Sequence, residues 1–171
     1  MAIDTQKGSI TVLGAGIVGT SCALALQRDG FRVTLVDRDT PGAGTSSGNA
    51  GMIQTGTPRP LAMPGLLKAV ARSAANSTAI MALLDRAGDA YRELLSAAGA
   101  DDMVRYKGML YVYRGAEAAR AATPEMDLFR RHGVKVETLD ADEIRQMEPA
   151  LDRAYTHGYY LPDCFYTVDP K

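Results

Sequence analysis

Gly14, Gly16 and Gly19 stand in the order G-x-G-x-x-G, directly behind the short, apolar, β-branched run SITVL of residues 9–13. Few short patterns restrict a fold more. A strand that ends at the first glycine, helical spacing over 17–28 and a stop signal at Gly30 predict strand, tight turn and helix. A second strand, RVTLV over 32–36, then ends at Asp37, 23 positions beyond Gly14. Each glycine has its own physical task in such a unit. Gly14 permits the turn, Gly16 leaves room for a pyrophosphate to approach the backbone, and Gly19 lets helix and strand pack closely. Backbone amides of the turn and first helical residues, with Ala15, Ile17 and Val18 between the glycines, meet phosphate oxygens at the positive end of the helix dipole. Asp37 can accept hydrogen bonds from both ribose hydroxyls, and its charge would repel a 2′-phosphate, which disfavours NADP. The pattern predicts an adenine dinucleotide site; NAD and FAD share the ADP half, so the turn alone does not choose between them. The bland alternative is a glycine turn that binds nothing.

Residues 10–26 form a run of seventeen without a charge, the length of a signal-peptide core or a short membrane span. The flanks disagree. The start, MAIDTQKGSI, is not a basic leader, and the three glycines break the run where strand turns into helix. Two cysteines, Cys22 and Cys164, form no disulfide framework and fit a reducing compartment. The expectation is a cytoplasmic protein, with peripheral attachment to the inner face of the cytoplasmic membrane as the variant. Nineteen basic residues against twenty acidic give a net charge of −1, which supplies no general field for nucleic acid. At 171 residues the chain suffices for one ordinary domain and is short for two.

Beyond Asp37 the pattern changes. Residues 41–65 (PGAGTSSGNAGMIQTGTPRPLAMPG) hold five glycines before Thr57 and have no period. Placed directly after a strand, this stretch reads as an ordered binding loop, with a flexible Gly/Ser linker as the alternative. In the usual NAD arrangement a crossover helix would follow the second strand. Here Thr45, Ser46, Ser47 and Asn49 are placed instead to meet the rest of a longer cofactor, such as a ribityl chain and a flavin ring.

A helical face then runs through Ile80, Leu84, Ala87, Tyr91, Leu94 and Ala98, closed by Gly99, with Asp85, Arg86, Asp89, Arg92 and Glu93 on a solvated side. Residues 106–114 read as a strand, and 116–132 as mainly helical with a restart at Thr123-Pro124-Glu125. A strand over 134–139 leads to Asp140, whose partner Glu143 three residues on completes a capping-box pattern for a helix to Met147. Residues 158–161 are a last strand, and Asp169-Pro170 is a helix-start signal.

On these residues the sequence resembles the FAD-dependent D-amino acid oxidase superfamily, and within it the bacterial D-amino acid dehydrogenases of small-subunit type. The resemblance is specific in VLGAGIVGTSCALALQRDGFRVTLVDRD and TSSGNAGMIQTGTPRPLAMPGLLKAV, and weaker in YKGMLYVYR, GVKVETLDADEIRQMEPAL and GYYLPDCFYTVDP. The serine-containing loop ending Asn49-Ala50-Gly51 favours this group over the sarcosine and glycine oxidases.

The resemblance implies an α/β fold: a Rossmann-like FAD-binding βαβ unit plus part of a mixed-sheet α+β substrate domain, incomplete here. It divides the chain into an FAD part with its flavin loop (1–65), a helical connection (66–105), a partial substrate domain (106–161) and a return toward the FAD domain (162–171). It implies FAD as cofactor and a D-amino acid as substrate, oxidised to the imino acid and hydrolysed to the 2-oxo acid and ammonia. Electrons pass to a membrane quinone pool. Gly14, Gly16, Gly19 and Asp37 then hold ADP, Arg38 lies near the adenine, and Ser46, Ser47, Asn49 and Ala50, with Gly51, lie near the flavin end. Relatives of this kind are about twice as long or more, so the implied partner is a C-terminal half or a complementary subunit. No catalytic residue is assigned.

The remaining alternatives are a glycine- or sarcosine-type amine oxidase, an NAD-dependent dehydrogenase domain and a non-catalytic nucleotide-binding fragment. His132 and His157 have no ligand spacing around them, so no metal is expected. Cys164 is expected to be a packed thiol, and Cys22 a buried one. Tyr111 and Tyr113 share a strand face, either toward substrate or in ordinary packing. Arg59 is a conceivable carboxylate binder in the loop.

Overall fold

The computed structural model describes residues 7–58 and 70–169. They fall into two compact units, Met1–Gly51 with Val168–Lys171, and Met52–Thr167. Arg59 and Pro170 lie outside the described residues, and with them the proposed carboxylate binder and the second half of the helix-start signal.

The first unit is strand β1 (Ser9–Leu13), helix α1 (Ile17–Arg28) and strand β2 (Arg32–Val36). β1 and β2 pair in parallel, in register from Ser9 opposite Arg32 to Leu13 opposite Val36. A parallel pair needs a crossover, and α1 supplies it. Gly14 continues the ladder by donating to the Val36 carbonyl at 2.7 Å, and it turns with φ of 100°. The sequence reading of all three elements matches the structure to the residue. No residue of α1 is fully buried, and at the ends of the strands Leu13 is 81% and Val36 44% exposed.

The second unit is built on a three-stranded antiparallel sheet of β5 (Met109–Tyr113), β7 (His157–Leu161) and β6 (Glu137–Leu139), in that spatial order. Helix α4 (Ala116–Arg131) covers one face. Its Met126 and Phe129 are fully buried against Tyr159, Leu161 and Cys164, with Met109, Tyr111 and Tyr113 packed around them. Helix α5 (Ala141–Met147) covers the other face, where Ile144 packs on Gly158. Asp140 starts α5 with the expected capping box: its Oδ1 accepts from Asp142 and Glu143, and Glu143 accepts from the Asp140 amide. A smaller sheet joins β3 (Met52–Ile53), β8 (Phe165–Thr167) and β4 (Val104–Arg105). Phe165 is fully buried there, against the rings of Tyr91 and Tyr106.

Several expectations are corrected. The single helical face through residues 80–98 is two helices, α2 (Val70–Leu84) and α3 (Ala87–Ala98), broken at Asp85-Arg86. Pro124 lies inside a continuous α4 rather than at a restart. The Thr123 hydroxyl donates to the Ala119 carbonyl and shares a hydrogen bond with Tyr159, which supports the turn where proline has no amide to give. The strand over 106–114 is shorter, and that over 134–139 begins at Glu137. Cys22 is exposed, whereas the half-buried positions of α1 are Gly19, Ser21, Ala23, Leu24 and Leu26.

Candidate functional site

The glycine turn of the first unit gathers side chains from three places in the sequence. Asp37, at the end of β2, accepts the Ala15 amide on Oδ2 at 2.6 Å and the Asp39 amide on Oδ1 at 3.1 Å. Two charge-assisted bonds of this kind stabilise the ionised form. The Ala15 amide first, and that of Asp39 second, hold the exposed Asp37 carboxyl below its ordinary value of 3.8. Asp37 is therefore a clamp on the turn, and its oxygens retain lone pairs for further donors.

Ser46 reaches the turn from the loop, accepting the Ile17 amide on Oγ at 2.9 Å. Gly42 ties the loop down a second time by donating to the Ala15 carbonyl at 2.9 Å. Behind the turn, a Cβ on Gly19 would strike the Gly14 carbonyl, so helix and turn meet at a distance only glycine allows. Thr20 also reaches back, its hydroxyl donating to the Ala15 carbonyl at 3.4 Å. Sequence reasoning missed Thr20; its one signal was a hydroxyl a single helical turn behind the glycines.

Of the loop residues singled out in the sequence, Ser46 alone has its side chain on the glycine turn. Asn49 shapes the loop instead, donating to the Ser46 carbonyl at 2.8 Å and accepting the Gly51 amide at 2.6 Å. Thr45, Ser47 and Ala50 are exposed. Arg38 is 92% exposed and pairs with Asp39 at 3.3 Å, a contact worth little in solvent.

In the second unit Tyr111 and Tyr113 turn toward α4, and Tyr113 stands edge-on to Tyr159 at 5.9 Å. Burial raises both phenols above their ordinary value of 10.0. Both are half-buried and packed on the core beneath α4, and the Tyr111 hydroxyl accepts from the Gln54 side-chain amide at 3.4 Å. Cys164 is buried, and desolvation raises its thiol against the opposing Thr55 amide, which leaves it a poor nucleophile. A concavity of about 280 Å³ is lined by Asp85, Asp89, Arg92, His132 and Asp163. Its Asp89 is already bonded to Arg92 at 2.7 Å, and Arg92 lies over the Tyr106 and Phe165 rings.

Comparison with known proteins gives three findings. The family model described as DAO, FAD dependent oxidoreductase, matches residues 9–171. D-amino acid dehydrogenase 2 of Mesorhizobium japonicum is 29% identical over 83% of this chain and 42% of its own length. D-amino acid dehydrogenase of Chromohalobacter salexigens is 29% identical over 90% of this chain and 46% of its own. The chain thus spans less than half the length of these relatives. Among solved structures, glycine oxidase from Bacillus cereus superposes with a TM-score of 0.72 at 18% identity, covering 94% of this chain and 41% of that one. At that identity the likeness shows the fold.

Proposed function

Because the chain belongs to the DAO family of FAD-dependent oxidoreductases, we propose that it is the cofactor-binding portion of an enzyme that oxidatively deaminates D-amino acids. The observation that carries the substrate class is the naming of both curated relatives as D-amino acid dehydrogenases, at 29% identity over most of this chain. The glycine turn supports the cofactor half of the reading. Its donor set fits a pyrophosphate, since the first intrahelical bond of α1 runs from Thr20 to Gly16 and the amides before it have no acceptor within the helix. Gly19 admits no side chain there, and Asp37 offers an acceptor to a ribose hydroxyl.

In this reading Gly14, Ala15, Gly16, Ile17, Val18 and Gly19 hold the diphosphate by backbone contacts, and Asp37 holds the adenosine ribose. Residues 1–65 form the FAD part, 66–105 a connection, and 106–161 the beginning of the substrate side. FAD, when bound, supplies a two-electron acceptor for the hydrogen on the substrate Cα. The amine proton leaves to solvent, and water converts the imino acid to the 2-oxo acid and ammonia. The protein's task is to position the substrate and balance its carboxylate. No group among the described residues is assigned to that task, and in this reading a quinone is the final electron acceptor. Among the described residues no helix is long and apolar enough to cross a membrane.

The test uses the longest native polypeptide that carries this chain, loaded with FAD under exclusion of oxygen. D-alanine should reduce the flavin and release ammonia and pyruvate in equal amounts, while L-alanine leaves it oxidised. Reduction by L-alanine alone would sink the substrate class. Reduction by glycine or sarcosine in preference to D-alanine would move the enzyme to the amine oxidases. Retention of NAD without flavin would remove the reading entirely.

A further inference from the structure

Ser46 lies 29 residues beyond Ile17, yet its Oγ accepts the Ile17 amide at 2.9 Å. The same oxygen stands 3.1 Å from the position a Cβ on Gly16 would take. Ile17 is the first residue of α1, and its amide has no acceptor inside the helix. That amide is among the donors an anion at this turn would use. A neutral oxygen of the loop therefore occupies both a donor suited to a phosphate oxygen and the space that glycine at position 16 leaves open.

The loop also has bonds that do not use the Ser46 side chain. Gly42 is bonded to the Ala15 carbonyl, Ser47 to the Gly44 carbonyl, and Asn49 bridges the Ser46 carbonyl and the Gly51 amide. The Ser46 hydroxyl adds something else: it joins that preformed loop to the start of the helix. A hydrogen bond from an amide to an anionic oxygen is roughly twice as strong as one to a neutral hydroxyl, so exchange of Ser46 for phosphate runs downhill.

We propose that Ser46 is a positioning residue that pins the loop of residues 42–51 to the first amide of α1 before the cofactor binds, and yields that amide to a phosphate of FAD on binding. The inference rests on the FAD reading above. It differs from a role as a direct cofactor ligand in the sign of its effect. A bond made only in the cofactor-free state opposes binding, so its removal cannot weaken affinity.

Hydrogen exchange on the longest native polypeptide, with and without FAD, tests this in Ser46→Ala and Ser46→Thr. Exchange around Phe129 and Tyr159 in the second unit serves as the control for intact folding. In the cofactor-free protein, Ser46→Ala should speed exchange at the Ile17 amide and across residues 42–51 several-fold, and Ser46→Thr, which keeps the hydroxyl, should stay near the parent. With FAD bound, the gap between Ser46→Ala and the parent should close, and Ser46→Ala should bind FAD at least as tightly. Unchanged exchange without FAD overturns the pin. Affinity lost by tenfold or more overturns the exchange and makes Ser46 a ligand, while an equal gap in both states overturns it by showing that the bond to Ile17 persists with FAD bound. Failure of the parent itself to bind FAD removes the function reading and the exchange with it, while the cofactor-free comparison still decides the pin.

Discussion

Asp37 carries a local structural task, and in the function proposed above it carries a binding task as well. Its carboxylate clamps Ala15 from across the sheet, and the charge-assisted bond that does so also keeps the group ionised. The sign of the pH dependence follows. Because the folded protein holds Asp37 below its ordinary 3.8, the clamp contributes in full above that pH and is lost as pH falls through the lowered value. Replacing Asp37 with Ala should therefore destabilise the cofactor-free first unit at neutral pH and make little difference in strong acid. Urea midpoints of parent and Asp37→Ala across that range measure it. A gap that stays constant into strong acid would mean the carboxylate charge plays no part. Legibility differs between the two tasks. The spacing of Asp37 from Gly14 points to a ribose acceptor, but nothing in a linear sequence signals that the same oxygens meet Ala15. The Ser46 contact with Ile17 is hidden for the same reason, since only the folded loop brings residues 29 positions apart together.

At the level of elements, β1, α1 and β2 were readable because each local signal agrees with the next: apolar strand, glycine stop, helical period, glycine stop, strand. The strands of the small sheet were not. β3, β4 and β8 are two or three residues long, and they exist through pairings such as Met52 with Tyr166 and Val104 with Thr167. No period can show in two residues. The break between α2 and α3 has neither glycine nor proline to announce it, and Pro124 announced a break that tertiary structure overrides. That override makes a prediction. The Tyr159 hydroxyl lies 3.1 Å from the Thr123 hydroxyl and 3.4 Å from the Ala119 carbonyl, in a buried corner beneath the proline turn. Tyr159→Phe should cost about 0.5–1.5 kcal/mol, the usual net worth of a buried hydrogen bond. Thr123→Val combined with it should cost less than the sum of the two, because they share one bond. Denaturant melts of the two single variants and the double variant check this; strict additivity would mean Tyr159 does not support the turn.

For the whole molecule, the first unit shows an imbalance that packing alone explains. A two-stranded sheet and one helix cannot bury both faces of the sheet, and strands of a parallel sheet ordinarily lie covered on both sides. Leu13 is 81% exposed beside Val36 at the end of the pair, and Val18 is 73% exposed on α1. Leu13 and Val36 are register partners, and exposed neighbouring apolar side chains of this kind point to a surface that further chain could cover. If the covering surface belongs to the longer enzyme proposed above, the energetic weight of Leu13 should depend on which polypeptide carries it. In the 171-residue chain, Leu13→Ser should change stability by less than about 0.5 kcal/mol, as for any surface site, while lowering dye binding and self-association. In the longest native polypeptide the same change should cost about 2 kcal/mol or more, the value of a buried leucine. Melting both pairs side by side decides it. A small effect in both would leave Leu13 exposed in the longer polypeptide as well, and would overturn the expectation that further chain covers it.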